Sequence, residues 1–123
     1  LEKNNVILAI EAFEDDALKD YADVFKLIQM VNSDKIKVVI DPVNMKEESA
    51  AESLDYVGSY LVAAHVKGVL IRDENLCREF LSQLKESHFS GPIIMDTWEE
   101  HLTIEDMVER KNFLKRIANE VSL

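Results

Sequence analysis

The segment Val6-Ile-Leu-Ala-Ile-Glu11 shows the pattern that decides the fold. Its apolar residues are continuous and rich in β-branched side chains, which is typical of a strand that is buried on both faces of a parallel sheet. Downstream, apolar side chains recur every three or four residues from Asp16 to Val31, a spacing that predicts a helix packed on the sheet. We therefore interpret residues 6–31 as one β-strand followed by one α-helix.

The same strand-then-helix unit recurs three more times along the chain. The predicted strands comprise residues 37–40, 60–64 and 92–95, and the predicted helices comprise residues 48–60, 75–87 and 103–121. This regular alternation predicts an α/β fold with a parallel (βα)4 sheet and right-handed connections. Two architectures fit: half of a TIM (β/α)8 barrel with outer helices, or an open doubly wound sheet, which the length alone favours.

Composition places the chain among intracellular globular proteins. Of its 123 residues, 47% are apolar and 31% are charged, with a formal net charge of -10. No apolar run reaches the ~20 residues of a membrane-spanning helix, and the acidic balance opposes binding to nucleic acids or to membrane surfaces. Because Cys77 is the single cysteine and no signal-peptide pattern is seen, we expect a cytoplasmic protein. No internal linker is visible, so residues 1–123 are expected to form a single domain.

A carboxylate or an imidazole follows each predicted strand: in order, Glu11, Asp41, His65 and Asp96. The carboxyl ends of parallel strands form one functional rim, so we expect these side chains to meet. Three carboxylates with one imidazole are an oxygen-rich ligand set, suited to a catalytic divalent ion such as Mn²⁺, Mg²⁺, Co²⁺ or Zn²⁺. The alternative is that these acids only cap the turns after the strands.

The motifs around these residues resemble those of the sugar-phosphate isomerase/epimerase group of xylose isomerase-like TIM barrels. They read Ala9-Ile-Glu11, Val39-Ile-Asp-Pro-Val-Asn-Met45, Ala63-Ala-His-Val-Lys67 and Gly91-Pro-Ile-Ile-Met-Asp-Thr-Trp-Glu-Glu100. Within that group the chain is most similar to the L-ribulose-5-phosphate 3-epimerase and hexulose-6-phosphate isomerase-like branch, over essentially its whole length. The resemblance implies the barrel architecture, with residues 1–123 as the C-terminal half.

The resemblance also implies a reaction and residue roles. The family's substrate is a small-molecule sugar, a ketose or a ketose phosphate, and the reaction is an epimerisation or isomerisation by proton transfer through a metal-bound enediolate. Carried over residue by residue, Glu11, Asp41, His65 and Asp96 would bind the metal. Glu11 and Asp96 would also exchange the substrate proton. The family usually has glutamate as the last ligand, and the aspartate here is one methylene shorter.

Three further residues are candidates near this rim. Asn44 lies where related epimerases place a residue that contacts the substrate, and the alternative is a turn asparagine. Lys67 is a candidate to neutralise a substrate oxygen or phosphate, and the alternative is a solvated lysine. Trp98 matches the family's tryptophan just past the last ligand, and we expect it to have a packing role.

Two other functions stay open at this point. A regulatory receiver-like module has a similar length and would use Asp41 as its phosphorylated residue, although it requires a fifth strand and a lysine after the last strand. A degenerate half-barrel would instead act through association, because its sheet would have two unpaired edges. The expected partner for those edges is the missing N-terminal half-barrel or a second copy in a homo-oligomer.

Overall fold

The chain folds into one parallel sheet with α-helices. The computed structural model describes residues 4–45, 47–97 and 101–123. The strands are β1 (Leu8–Ile10), β2 (Ile36–Ile40), β3 (Leu61–Val66) and β4 (Ile93–Met95), and the helices are α1 (Tyr21–Val31), α2 (Ala50–Val57), α3 (Glu74–Glu86) and α4 (Ile104–Val121). Short 3-10 helices lie at Pro42–Asn44, Gly58–Tyr60 and Gly68–Ile71. In the part of the chain described, no helix has both the length and the apolar character needed to span a membrane.

The start of α1 differs from its sequence prediction. The apolar spacing places the helix start at Asp16, whereas the helix begins at Tyr21. The reason is a local cap: Asp20 has an extended backbone, and its side chain accepts a hydrogen bond from the Asp23 amide at 2.7 Å. An aspartate at this position satisfies an amide that would otherwise lack a partner, so it fixes the first turn.

Capping boxes begin α2 and α4. Ser49 Oγ accepts a hydrogen bond from the Glu52 amide, and the Glu52 carboxylate accepts one from the Ser49 amide. Thr103 and Asp106 make the same reciprocal pair. These hydrogen bonds lower the pKa of both acids. Each box satisfies two exposed amides at a helix start and thereby fixes where the helix begins.

Strand order distinguishes the two architectures. The sheet has the order β1-β2-β3-β4, and every neighbouring pair is parallel. A doubly wound sheet reverses its strand order at a switch point and has helices on both faces. Here the helices pack against one another in chain order, α1 on α2, α2 on α3 and α3 on α4, which places them on one face. The predicted (βα)4 half of a TIM barrel is confirmed, and the doubly wound alternative, which a receiver-like module requires, is wrong.

Alternation along β2 separates a face covered by helices from an open face. Ile36, Val38 and Ile40 are buried against the helices, while Lys37 and Val39 are only half-buried on the opposite face. In a complete barrel this second face is the packed interior. The residues that end the strands on the open face are therefore the ones that meet around the barrel axis.

The edges of the sheet are more exposed than the sequence predicts. The prediction that the first strand is buried on both faces is wrong, since Ile7 and Leu8 are 53% and 46% exposed. The reason is that β1 is an edge strand, with no strand beyond it in the ranges described. At the other edge, the apolar spacing of residues 103–121 predicts that Ile104 and Met107 of α4 face inward, but they are 76% and 44% exposed. They line an apolar groove of about 620 Å³ that continues onto Met95 of β4.

Candidate metal centre

The residues predicted to bind a metal converge at the carboxyl ends of the strands. Glu11, Asp41 and Asp96 follow β1, β2 and β4 as predicted, whereas His65 lies within β3, which continues to Val66. The Nδ1 atom of His65 is close to all three carboxylates. It lies 3.6 Å from Glu11 Oε1, 3.8 Å from Asp41 Oδ2 and 3.9 Å from Asp96 Oδ2. The fold therefore brings Glu11, Asp41 and His65 together around one point, while Asp96 approaches His65 but lies outside this close group of three.

The spacing of these atoms fits a divalent ion. Ligand atoms bound about 2.1 Å from a tetrahedral ion lie about 3.4 Å from one another, close to the distances measured from His65 Nδ1. Glu11, Asp41 and His65 each offer one ligand atom within 4.8 Å of the other two. His65 Nδ1 is buried and accepts or donates no hydrogen bond within the ranges described. A bound cation would satisfy this nitrogen, whose isolation is otherwise unfavourable, so the donor set fits such an ion.

Hydrogen bonds from several elements hold Asp41 in place. Its side chain is fully buried, and its Oδ1 accepts a hydrogen bond from the Val43 amide at 3.0 Å. Its own amide donates to the Tyr21 hydroxyl at 2.7 Å, and that hydroxyl donates to the Val39 carbonyl at 3.1 Å. Burial raises the pKa of Tyr21, so the phenol stays protonated and keeps both bonds. Oδ2 is thus the oxygen available to a cation beside His65.

Tyr21 is fixed in turn by Glu48. The Glu48 carboxylate accepts a hydrogen bond from the Tyr21 amide at 2.8 Å. This amide belongs to the first turn of α1, where the helix dipole favours a negative charge. Burial raises the pKa of Glu48. The contact joins the segment before α2 to the start of α1 and holds the Tyr21 phenol beneath the end of β2. The sequence pattern indicates Tyr21 only as a core-facing helix residue.

Asn44, predicted to contact substrate, also supports a predicted ligand. Its Nδ2 donates to Glu11 Oε1 at 2.7 Å and to the Ala12 carbonyl at 3.4 Å. The 3-10 helix Pro42–Asn44, which begins directly after Asp41, positions this amide. Asn44 therefore links the ends of β1 and β2 and orients the Glu11 carboxylate.

Lys67 contributes a positive charge to the site. Its Nζ lies 2.7 Å from Asp41 Oδ2 and 3.6 Å from Asp96 Oδ2. Burial acts to lower the pKa of Lys67, but the contact with Asp41 and the charges of Asp96 and Glu11 outweigh it, so the pKa is raised. The side chain is consequently a charged ammonium next to the predicted ligands.

These groups border a cavity of about 540 Å³. Its lining in the ranges described is Glu11, Phe13, Asp16, Asn44, His65, Lys67 and Asp96. Pockets for small molecules have volumes of about 300–1,000 Å³, so a single sugar has room here. Both predicted substrate-binding residues, Asn44 and Lys67, thus share one cavity with three of the predicted ligands, Glu11, His65 and Asp96.

The remaining residues of interest in the sequence are Trp98, His88, His101 and Cys77, and none of those that the structure describes lines this cavity. Trp98 is not among the described residues, so its packing role stays a prediction. His88 and His101 lie in polar segments away from the predicted strand ends, which predicts surface positions, and both are exposed. Cys77 is buried in α3, and burial raises the pKa of its thiol to about 11. Such a thiol is unreactive at neutral pH.

Comparison with known proteins identifies a family and solved structures of similar fold. A family model described as xylose isomerase-like TIM barrel matches residues 1–117. A crystal structure of D-psicose 3-epimerase with D-tagatose, from Clostridium cellulolyticum H10, is similar with a TM-score of 0.69 and 17% sequence identity. The match covers 98% of this chain and 48% of that chain, so the chain spans about half the length of that protein. A search of curated proteins finds no match.

Proposed function

Because the chain belongs to the xylose isomerase-like TIM barrel family, we propose that it is part of a metal-dependent epimerase or isomerase of a ketose or ketose phosphate. The observation that carries this proposal is the approach of Glu11, Asp41 and Asp96 to His65 Nδ1, with Glu11, Asp41 and His65 close enough to share one ion. The similar fold of D-psicose 3-epimerase supports a ketose as the substrate class.

We propose the same four residues as ligands of one Mn²⁺, Mg²⁺, Co²⁺ or Zn²⁺ ion. When bound, such an ion would supply the positive charge that stabilises the oxygens of an enediolate. The support comes from the oxygen-rich donor set, from its spacing and from the buried His65 Nδ1 without a hydrogen bond. Full burial of Asp41 and the hydrogen bond that its Oδ1 accepts from the Val43 amide support a role in fixing the geometry of the site.

Glu11 and Asp96 are the proposed proton carriers. Epimerisation beside a ketone removes a proton from one face of a carbon and returns a proton to the other face. These carboxylates follow β1 and β4, the two outer strands of the sheet, so they reach the cavity from different sides. Their side chains are 34% and 25% exposed, whereas that of Asp41 is fully buried. Access to a substrate carbon therefore favours Glu11 and Asp96 over Asp41.

Asn44 and Lys67 are proposed to contact the substrate from the same cavity. Asn44 holds one oxygen of Glu11, which orients that carboxylate for proton transfer. The Lys67 ammonium, with its raised pKa, is suited to an anionic or partially negative oxygen of a sugar or its phosphate.

We propose that residues 1–123 form a single domain that corresponds to the C-terminal half of the barrel. The exposed edge at β1 and the apolar groove beside α4 support this, because a closed barrel covers both. The proposed partner is the N-terminal half-barrel or a second copy of the chain. Light scattering of the isolated chain tests whether its exposed edges require a partner. Association of the chain supports the half-barrel proposal, and a stable monodisperse monomer contradicts it. The cytoplasmic location stays a prediction.

The test of the reaction is exchange of a substrate C–H with solvent. The protein containing this chain is incubated with Mn²⁺ and a panel of pentulose and hexulose phosphates and free ketoses in D₂O, and deuterium incorporation is followed by NMR. We expect exchange with at least one sugar, and a loss of about 10²–10⁴-fold in Glu11→Gln. The control is Asp15→Asn, which removes an exposed acid outside the lining of the cavity. Absence of exchange with every sugar would refute the proposal.

A further inference from the structure

Lys67 occupies an unusual place for a substrate-binding residue, because it is paired with the predicted ligands themselves. Its Nζ is 2.7 Å from Asp41 Oδ2 and 3.6 Å from Asp96 Oδ2, and its side chain is only 15% exposed. The same two oxygens lie 3.8 and 3.9 Å from His65 Nδ1. The ammonium therefore contacts the atoms that would face a bound cation.

The other carboxylate oxygen of Asp41 is already hydrogen-bonded. Its Oδ1 is engaged by the Val43 amide at 3.0 Å, which leaves Oδ2 as the atom that a cation shares or takes from Lys67. The charges around the cavity also favour a counter-ion role for Lys67. Among the residues described around the cavity, Lys67 alone has a permanent positive charge, against the carboxylates of Glu11, Asp16 and Asp96.

We propose that Lys67 is a built-in counter-ion that a divalent metal must displace from Asp41, so that Lys67 sets the metal affinity of the site. A dication and an ammonium on one carboxylate oxygen repel each other strongly in a partly buried site, so both cannot keep close contact with Asp41. Without metal, the ammonium keeps the clustered carboxylates from repelling one another. After displacement, the same ammonium is free to turn toward the cavity and meet a substrate oxygen.

This inference rests on the proposed metal site. It predicts a change in metal affinity on removal of Lys67 that is opposite in sign to the change expected if Lys67 only oriented a ligand. A residue that merely orients a ligand weakens metal binding by about 10–100-fold when it is removed. A competing counter-ion strengthens metal binding when it is removed. The sign of the change in affinity therefore separates the two roles, with no need for catalytic activity as the readout.

The experiment is calorimetric titration of the chain with Mn²⁺ in a buffer free of phosphate and chelators. We expect Lys67→Met to bind Mn²⁺ at least about tenfold more tightly than the wild type, and Lys67→Arg, which keeps the charge, to stay near the wild type. Lys67→Gln is a second neutral variant, whose amide can still donate to Asp41. The control is Lys26→Met, which changes the net charge equally at a lysine with a 71% exposed side chain paired to Asp23.

Thermal unfolding gives an independent readout. Without metal, Lys67→Met should melt below the wild type because the carboxylates lose their counter-ion, and saturating Mn²⁺ should raise its melting temperature more than that of the wild type. Equal or weaker Mn²⁺ binding by both neutral variants, in a wild-type chain that does bind, would overturn the counter-ion role alone. No Mn²⁺ binding by any variant would overturn the proposed metal site as well.

Discussion

Replacement of Tyr21 by phenylalanine tests whether the hydroxyl beneath β2 holds the site together. The substitution keeps the ring and removes one oxygen, which accepts from the Asp41 amide at 2.7 Å and donates to the Val39 carbonyl at 3.1 Å. Tyr21 and Asp41 are both fully buried, so no water replaces the lost bonds without rearrangement. An unpaired buried amide costs about 1–3 kcal/mol. We expect the free energy of unfolding to fall by that amount.

Urea unfolding followed by circular dichroism measures this loss by linear extrapolation. The expected fall in melting temperature is roughly 4–10 °C for a chain of this size. Tyr56→Phe is the matched control, because Tyr56 is 44% exposed and its loss of a hydroxyl is expected to change stability by less than about 0.5 kcal/mol. If Tyr21→Phe unfolds within about 0.5 kcal/mol of the wild type, the reasoning about the buried hydroxyl is wrong.

Three further predictions concern the site, a close contact and a helix cap. Asn44→Ala removes the hydrogen bond of 2.7 Å between Asn44 Nδ2 and Glu11 Oε1, which orients the Glu11 carboxylate. The Mn²⁺ affinity measured by calorimetry should therefore fall about tenfold, and an unchanged affinity would contradict this role of Asn44. Gly91→Ala places a Cβ 2.6 Å from a backbone carbonyl oxygen and should destabilise the chain by about 1–3 kcal/mol in urea, whereas Gly58→Ala, with its nearest neighbour at 3.5 Å, should be nearly neutral. Hydrogen bonds from Ser49 lower the pKa of Glu52 below its ordinary value of 4.5, so this stabilisation is complete above pH 4.5 and is lost as the pH falls through the lowered pKa. Ser49→Ala should flatten the acid limb of the stability profile, and an identical profile would count against the capping box.

The sequence predicts the repeated units well because each depends on local patterns. Continuous apolar runs indicate strands that a helix layer covers, and the polar residue after each run marks the strand end. His65 shows the limit of this rule. His65 faces the open side of the sheet and pairs in register with Ile94. The continuous apolar run ends before it, but the strand itself continues to Val66. In the sequence pattern, a polar residue inside a strand therefore cannot be distinguished from the first polar residue after a strand.

Non-local contacts account for what the sequence does not predict. Strand order decides between a barrel arc and a doubly wound sheet, and no periodicity within one unit encodes it. The same holds for Tyr21, whose hydroxyl partner, the Asp41 amide, belongs to the next unit. The start of α1 depends on which of several nearby acids becomes the cap, and Asp20 does so because its backbone is extended there.

The consecutive strand order also has a dynamic consequence. The principal contacts join each βα unit to the unit before or after it, so the chain resembles a short stack of linked modules. A module in the middle is braced on two sides and a terminal one on a single side. Amide hydrogen exchange should accordingly be slowest in β2 and β3, and fraying should proceed inward from both ends.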